Sequence, residues 1–168
     1  MTQSHATPEA TKSFSLRFPD LLYKTLGSDG LTVSACGFGS YRVDYRVREH
    51  TEALSYAILS GINLIDTSSN YSDGGSEILI GNVLKDLINS GHIKREEIVI
   101  VTKAGYIQGK NYKTAKNKKE EGNPYPDVVE YTETLWHCIS PEFLKDQLTA
   151  SLERLQLETV DVFLLHNP

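Results

Sequence analysis

The chain has 168 residues, 39% of them hydrophobic and 23% charged, which supplies one globular core and is not the balance of a disordered protein. A formal net charge of -5 disfavours nucleic acid as a partner, because affinity for a phosphate backbone depends on basic surface that releases counterions. No stretch approaches the roughly 20 apolar residues of a membrane span, and Met1 to Ser13 lacks the apolar centre of a signal peptide, so no membrane association is expected.

Residues 1–19 are rich in Thr, Ser, Ala and Pro without periodicity and are expected to form a mobile tail. Tyr23–Leu26 and Leu31–Ser34 flank Gly27-Ser28-Asp29-Gly30, which predicts two short strands joined by a turn, a β-hairpin. Ala35 to Gly39 reads as a buried strand whose glycines permit close backbone approach. Arg48 to Leu59 has helical spacing through Ala53, Leu54, Ala57 and Ile58, with Gly61 as the stop. Asn63 to Ile65 is a short buried-type run, Ser76 to Ile88 is again helical, and Ile98 to Val101 is β-branched enough for a central strand.

Ser140-Pro141-Glu142 opens another helix, with Ser140 as its cap and proline at the first position, that runs to about Leu155. Val160 to Leu165 is the last strand, nearly continuous in apolar residues. The order hairpin, βα, βα, βα, β predicts an α/β fold on a parallel sheet, although periodicity does not separate a barrel from a doubly wound sheet. One segment breaks the rhythm. Ala104 to Ile139 is long, contains the basic and polar run Lys110 to Glu121, and carries Tyr125, Tyr131 and Trp136. A loop of that length is functional, partly disordered or both, and the charge run is as well explained as solvated linker.

Three ionisable residues stand directly after strands: Asp66, Lys103 and His166. In parallel α/β folds the carboxyl ends of the strands form the site, so these three would share one rim, with Tyr71 a few residues beyond Asp66. Each also has a plain structural explanation: Asp66 as a turn or cap residue, Tyr71 as a half-buried aromatic, Lys103 as a surface lysine, His166 as a hydrogen-bonded core histidine. The two cysteines, Cys36 and Cys138, lie far apart without metal-ligand spacing. Neither a metal site nor a disulfide is expected, and a reducing, cytoplasmic compartment fits best.

Three segments taken together resemble the aldo-keto reductase family: Gly-Ile-Asn-Leu-Ile-Asp-Thr-Ser-Ser-Asn-Tyr (61–71), Ile-Val-Ile-Val-Thr-Lys-Ala-Gly (98–105) and Asp-Val-Phe-Leu-Leu-His-Asn-Pro (161–168). None is specific alone. The resemblance runs from the hairpin near Tyr23 to Pro168, and Gly-Phe-Gly-Ser (37–40) is similar to the family's first-strand segment beside the nicotinamide. It implies the N-terminal half of a (β/α)8 TIM barrel with an N-terminal β-hairpin, and a partial reductase domain over 20–168.

The resemblance also implies reversible hydride transfer between NADPH, with NADH possible, and a small-molecule carbonyl or alcohol substrate, without a metal. Carbonyl reduction places negative charge on oxygen, so a proton donor must stand beside it, and Tyr71 is that general acid by resemblance. Lys103 would stabilise the phenolate left behind. Asp66 would keep the lysine charged, and His166 would orient the carbonyl. Gly39, Ser40 and Asp66 are expected at the cofactor; Tyr71, His166 and Asn167 at the substrate. Tyr125, Tyr131 or Trp136 is expected to line or cover the mouth, with a family-specific surface excursion the equal alternative, and Asn167 is equally well explained as a turn residue before Pro168.

In the family most of the cofactor grip comes from later strands, so this chain alone is expected to be an inactive fragment, its record or its gene product cut short. Substrate, cofactor preference and oligomeric state are not legible. Two competing readings belong to other classes: a reductase-like regulatory subunit serving a partner protein, and an aldolase-like barrel in which Lys103 forms a Schiff base.

Overall fold

The computed structural model describes residues 5–168. Helix α1 (Pro8–Ser15) comes first: Thr7 caps it by accepting from the Ala10 N–H at 3.2 Å, Pro8 takes the first helical position, and Phe14 is buried in the main core. The stretch 1–19, expected as a mobile tail, therefore holds an anchored helix, and residues 1–4 of it lie outside the described residues. Composition concealed the helix because Phe14 and Phe18 supply most of its apolar grip. Both pack at the main core, with the Arg17 guanidinium 4.4 Å from the Phe14 ring centroid.

Strands β1 (Tyr23–Leu26) and β2 (Leu31–Ser34) pair antiparallel. The main sheet follows from β3 (Phe38–Gly39), β4 (Leu64–Asp66), β5 (Val99–Ala104) and a last strand, Val162–Leu165, all parallel and in that spatial order. Asn63 stitches the two sheets together: its side chain accepts from Ser34 N–H at 2.8 Å and donates to the carbonyls of Thr32 at 2.9 Å and Glu97 at 3.2 Å. Helices α2 (Arg48–Leu59) and α3 (Gly75–Asn89) cover one side with Leu54, Ile58, Leu79, Ile80 and Leu84 against Ile65, Ile98 and Ile100. Gly61 ends the first of these connections at φ +104°, where a side chain would be strained and would strike Phe18 and Leu21.

The segment 104–139 is structured. It contains β6 (Tyr106–Ile107), helix α4 (Gly109–Glu120), β7 (Val129–Glu130) and β8 (Trp136–His137), the strands forming a small antiparallel sheet in the order β6-β8-β7. The run Lys110 to Glu121 is thus a helix and its turn rather than solvated linker. Its apolar signal is only Tyr112 and Ala115, which pack into a second core with Ile107, Tyr125, Trp136, Cys138 and Phe143. The insertion leaves and rejoins the fold at one neck, where Cys138 N–H donates to the Gly105 carbonyl at 2.8 Å. Helix α5 (Pro141–Leu155), capped by Ser140, and strand β9 (Val162–Leu165) complete the described chain. No helix among the described residues is long and apolar enough to cross a membrane.

At the amino end of the sheet Asp161 gathers three partners. Its carboxylate accepts from Arg95 at 2.9 Å, from Ile100 N–H at 2.7 Å and from Ala6 N–H at 2.7 Å, with the Arg95 and Asp161 side chains 8% and 3% exposed. Arg95 also donates to the carbonyls of Ile98 and Thr159. Removing one partner strands a buried charge, so Asp161→Ala is expected to cost about 3–5 kcal/mol in a denaturant titration. A loss below about 1 kcal/mol would show the pair to be marginal.

Helix α4 borrows its cap. Gln108 offers no side-chain cap, and the Lys110 N–H donates instead to Asp73 Oδ1 at 2.9 Å. Asp73 and its neighbour Ser72 are left-handed, at φ 56° and 50°, and the Ser72 hydroxyl holds that shape by donating to the Val43 carbonyl at 2.7 Å. Asp73→Ala is expected to remove about 1 kcal/mol of local stability and to speed amide hydrogen exchange over 110–114. Unchanged exchange there would mean the helix holds without this cap.

Candidate active site

Parallel pairing places Asp66 at the end of β4, Lys103 near the end of β5 and His166 just past β9, with Asp66 level with Val101 and Lys103 level with Leu164. The three therefore share one rim, and Tyr71 reaches the same place from the turn after β4. Lys103 is the centre. Its ammonium lies 2.9 Å from both Asp66 carboxylate oxygens, donates to the Thr67 carbonyl at 2.6 Å and stands 3.4 Å from the Tyr71 hydroxyl. The lysine side chain is only 14% exposed, a burial that an unpaired ammonium would not tolerate.

Beneath the lysine, the fully buried Glu77 of α3 accepts from the Thr102 hydroxyl at 2.6 Å and from Arg154 of α5 at 2.7 Å, which fixes β5 against both helices. The Tyr71 ring is held edge-on between Tyr41, at 5.1 Å between centroids, and His166, at 5.8 Å. His166 is anchored by its N–H to the Ala104 carbonyl at 2.9 Å and by Nδ1 to the Ser68 hydroxyl at 3.0 Å. Burial and then the nearby Lys103 charge push its pKa below the usual 6.5, which favours the neutral ring.

The remaining expected residues separate. Ser40 is buried, and its hydroxyl is committed to the protein, donating to the Asp66 carbonyl at 2.8 Å and accepting from Ser76 at 2.7 Å. Gly39 is exposed beside it, with open space where a side chain would be. Asn167 takes φ 53° and donates from Nδ2 to the Tyr106 hydroxyl at 2.9 Å. Tyr125 and Trp136, expected at the mouth, are buried in the second core instead, because the insertion folds on itself and needs its own apolar centre. Tyr131 is exposed, its ring 6.2 Å from that of His137.

Sequence reasoning missed four residues. Tyr106 packs edge-on against His166 at 4.9 Å, and His137 Nε2 donates to the His166 carbonyl at 2.8 Å, so the insertion braces the histidine from behind. Ser68 bonds the imidazole, and Tyr41 packs edge-on against Tyr71. Ser68 lies inside the segment 61–71, and Tyr41 and Tyr106 directly follow the segments 37–40 and 98–105, but nothing local in the chain signals the contacts that Tyr106 and His137 make with His166. An open cavity of about 570 Å3 adjoins Tyr71, lined among others by Tyr41, Arg42, Asp44, Asn70 and Gln108. Among the described residues no cluster of His, Cys, Asp or Glu gathers at metal-binding distance.

Comparison with known proteins shows the family. The chain is 28% identical over 149 residues to an NADH-specific methylglyoxal reductase of Escherichia coli (strain K12), a match covering 84% of this chain and 40% of that protein. Among solved structures it is similar to the holo form of an aldo-keto reductase from Bacillus halodurans, with 26% identity, TM-score 0.62, and coverage of 87% of this chain and 40% of that one. An aldo-keto reductase solved with NADPH matches at 25% identity and TM-score 0.56, covering 87% and 36%. The chain thus spans about 40% of the length of these relatives. The model of the Aldo/keto reductase family matches residues 36–168, most of the sequence, and the chain belongs to that family.

Proposed function

We propose that the chain carries the proton-transfer half of an NAD(P)H-dependent carbonyl reductase site, with Tyr71 as general acid. The observation that carries the proposal is the Lys103 ammonium, 3.4 Å from the Tyr71 hydroxyl and locked between Asp66 and the Thr67 carbonyl. As a hydride reaches the carbonyl carbon, its oxygen gains negative charge and takes the phenolic proton of Tyr71. The phenolate left behind faces a cation already in place, so little reorganisation accompanies the step. Asp66 keeps that cation charged and aimed in a largely buried position, and His166 contacts the substrate oxygen or its neighbour.

NADPH, or NADH, supplies the hydride when bound. One matched relative is named as NADH-specific and another was solved with NADPH. The open, exposed backbone at Gly39 beside the half-exposed Asp66 suits a flat ring laid against the rim; Ser40 supports that surface from below. The parallel strands are read as the first half of a (β/α)8 barrel, a view supported by β9, which leaves Leu164 and Leu165 42% and 46% exposed. The substrate is a small carbonyl compound or its alcohol, and methylglyoxal is the first to try.

The test is reduction of methylglyoxal followed by loss of NADPH or NADH absorbance. Turnover is expected from a chain extended to the relatives' length and little from these 168 residues alone. Tyr71→Phe is expected to lower the extended chain's turnover by about 10²–10⁴-fold while cofactor binding, read by fluorescence titration, persists. Turnover undiminished in Tyr71→Phe would overturn the assignment.

The histidine gives a pH prediction. Its folded pKa lies below 6.5, so the unfolded state binds more protons between the two values. The stability it contributes is complete above pH 6.5 and is lost as pH falls through the folded value. Urea midpoints measured between pH 7.5 and 5 should fall more for the native chain than for His166→Gln, and an equal fall would remove His166 from the account.

A further inference from the structure

Three residues in a row after Tyr71 are left-handed: Ser72 at φ 50°, Asp73 at φ 56° and Gly74 at φ 88°. Glycine takes that conformation freely; serine and aspartate do not, and such strain persists only where the surroundings over-determine it. Two long-range bonds do so here. The Ser72 hydroxyl donates to the Val43 carbonyl at 2.7 Å, and Asp73 Oδ1 accepts the Lys110 N–H of helix α4 at 2.9 Å. The helix is shaped to receive the carboxylate, since Gly109 stands at φ 56° and a side chain there would strike Asp73.

The phenol of Tyr71 depends on that turn because little else holds it. Its hydroxyl has one hydrogen-bond partner among the described residues, the Lys103 ammonium, and 3.4 Å is long for such a bond. Its ring meets His166 and the exposed Tyr41 edge-on, contacts that leave it room to slide. The backbone therefore sets where the ring stands. Before Tyr71 the chain is fixed by the Tyr71 N–H on the Ser68 carbonyl at 3.1 Å; after it comes the left-handed turn.

The plain explanation is that Asp73 serves only as a remote cap for α4. A cap normally comes from the residue before the helix, where Gln108 stands, yet this bond spans 37 residues and ends on a strained aspartate. A bond holds both of its ends, so the helix steadies the turn as much as the turn caps the helix. We propose that Asp73 is a positioning residue for Tyr71: through the Lys110 N–H the insertion 104–139 holds the left-handed turn, and the turn sets the phenol beside Lys103. That the phenol acts as the acid rests on the reductase reading above. Its placement by Asp73 does not, since every group involved belongs to this chain.

The experiment is 1H–13C correlation of the aromatic rings in the purified chain with 13C-labelled tyrosine, Tyr71 being assigned by loss of its signals in Tyr71→Phe. With neighbouring rings at 5.1 and 5.8 Å, the Tyr71 protons carry ring-current shifts. Asp73→Ala is expected to move these signals toward those of free tyrosine, while Asp73→Asn, which keeps an acceptor and tolerates the left-handed turn, leaves them in place. Lys110→Pro breaks the same bond from the other side, because proline lacks the N–H and is admitted in the first helical turn; it should move Tyr71 as Asp73→Ala does, and Lys110→Ala should not. Combining Asp73→Ala with Lys110→Pro should move Tyr71 no further than either alone. Signals unmoved in Asp73→Ala, moved as far by Asp73→Asn or Lys110→Ala, or moved additively in the double variant would overturn the proposal.

In a chain extended to the relatives' length, Asp73→Ala is expected to lower kcat about 10- to 100-fold with cofactor affinity unchanged, and Asp73→Asn to recover it. A cap with no hold on Tyr71 would leave kcat alone. Signals that move without loss of kcat would count against the acid reading and leave the positioning standing; loss of kcat with the signals in place would overturn the positioning. No turnover from the native extended chain would count against the reductase reading, and the spectra would still decide the placement.

Discussion

The geometry of the rim is set at the opposite end of the sheet, by the grip of Asp161 on Ile100. The side chain accepts the Ile100 N–H and the Asp161 N–H donates to the Ile100 carbonyl at 3.1 Å, so one residue is held to its neighbour by both backbone and carboxylate. That double grip fixes β9 in register on β5, Val101 beside Val162 through Ala104 beside Leu165. A slip of one residue would turn every side chain of β9 to the other face. Five residues after Asp161 the same register delivers His166 beside Tyr71 and Ser68, so a buried ion pair with no part in the chemistry decides where the imidazole stands.

A polar tier lies between that floor and the mouth. Ser40, Thr67 and Ser76 form a buried chain of hydroxyls from β3 across to α3, and Glu77 continues it to Thr102 and Arg154. Each group in this tier has a partner of complementary type, which is the condition for polar groups to be kept in a core without a large desolvation penalty. The consequence for the site is stiffness: Asp66 and Lys103 are each flanked in sequence by a residue that the tier holds.

Much of this was legible in the chain. Asp66, Lys103 and His166 could be placed on one rim because each follows a short apolar run, and parallel pairing sends all such ends the same way. The helix at Pro8–Ser15 was not legible, because its polar composition outweighs a single phenylalanine and its stability comes from the sheet bottom, through bonds such as Thr11 to Thr32 N–H at 3.0 Å. Nor was the architecture of 104–139. Strands of two residues have no periodicity to detect, and a helix whose cap at Lys110 is Asp73, 37 residues earlier in the chain, carries no local start signal. Tyr106 and His137 were invisible for the same reason, since their contact with His166 exists only once the insertion has folded.

The neck at Gly105 and Cys138 gives the insertion the character of a cassette. Because its two ends are joined by the Cys138–Gly105 hydrogen bond and by the pairing of β6 with β8, the distance between them is set at the neck and not by what hangs beyond. Loop closure becomes only slowly costlier with length, so the segment can grow, shrink or be exchanged while β5 and α5 keep their places. Three contacts would have to be carried along in any exchange: a residue behind His166, where Tyr106 and His137 now stand, a socket for Asp73, and an apolar cover for Phe143 of α5, now supplied by Tyr125. The unit is therefore separable from the rim, with Asp66, Tyr71 and Lys103 left in place by any exchange that keeps those contacts.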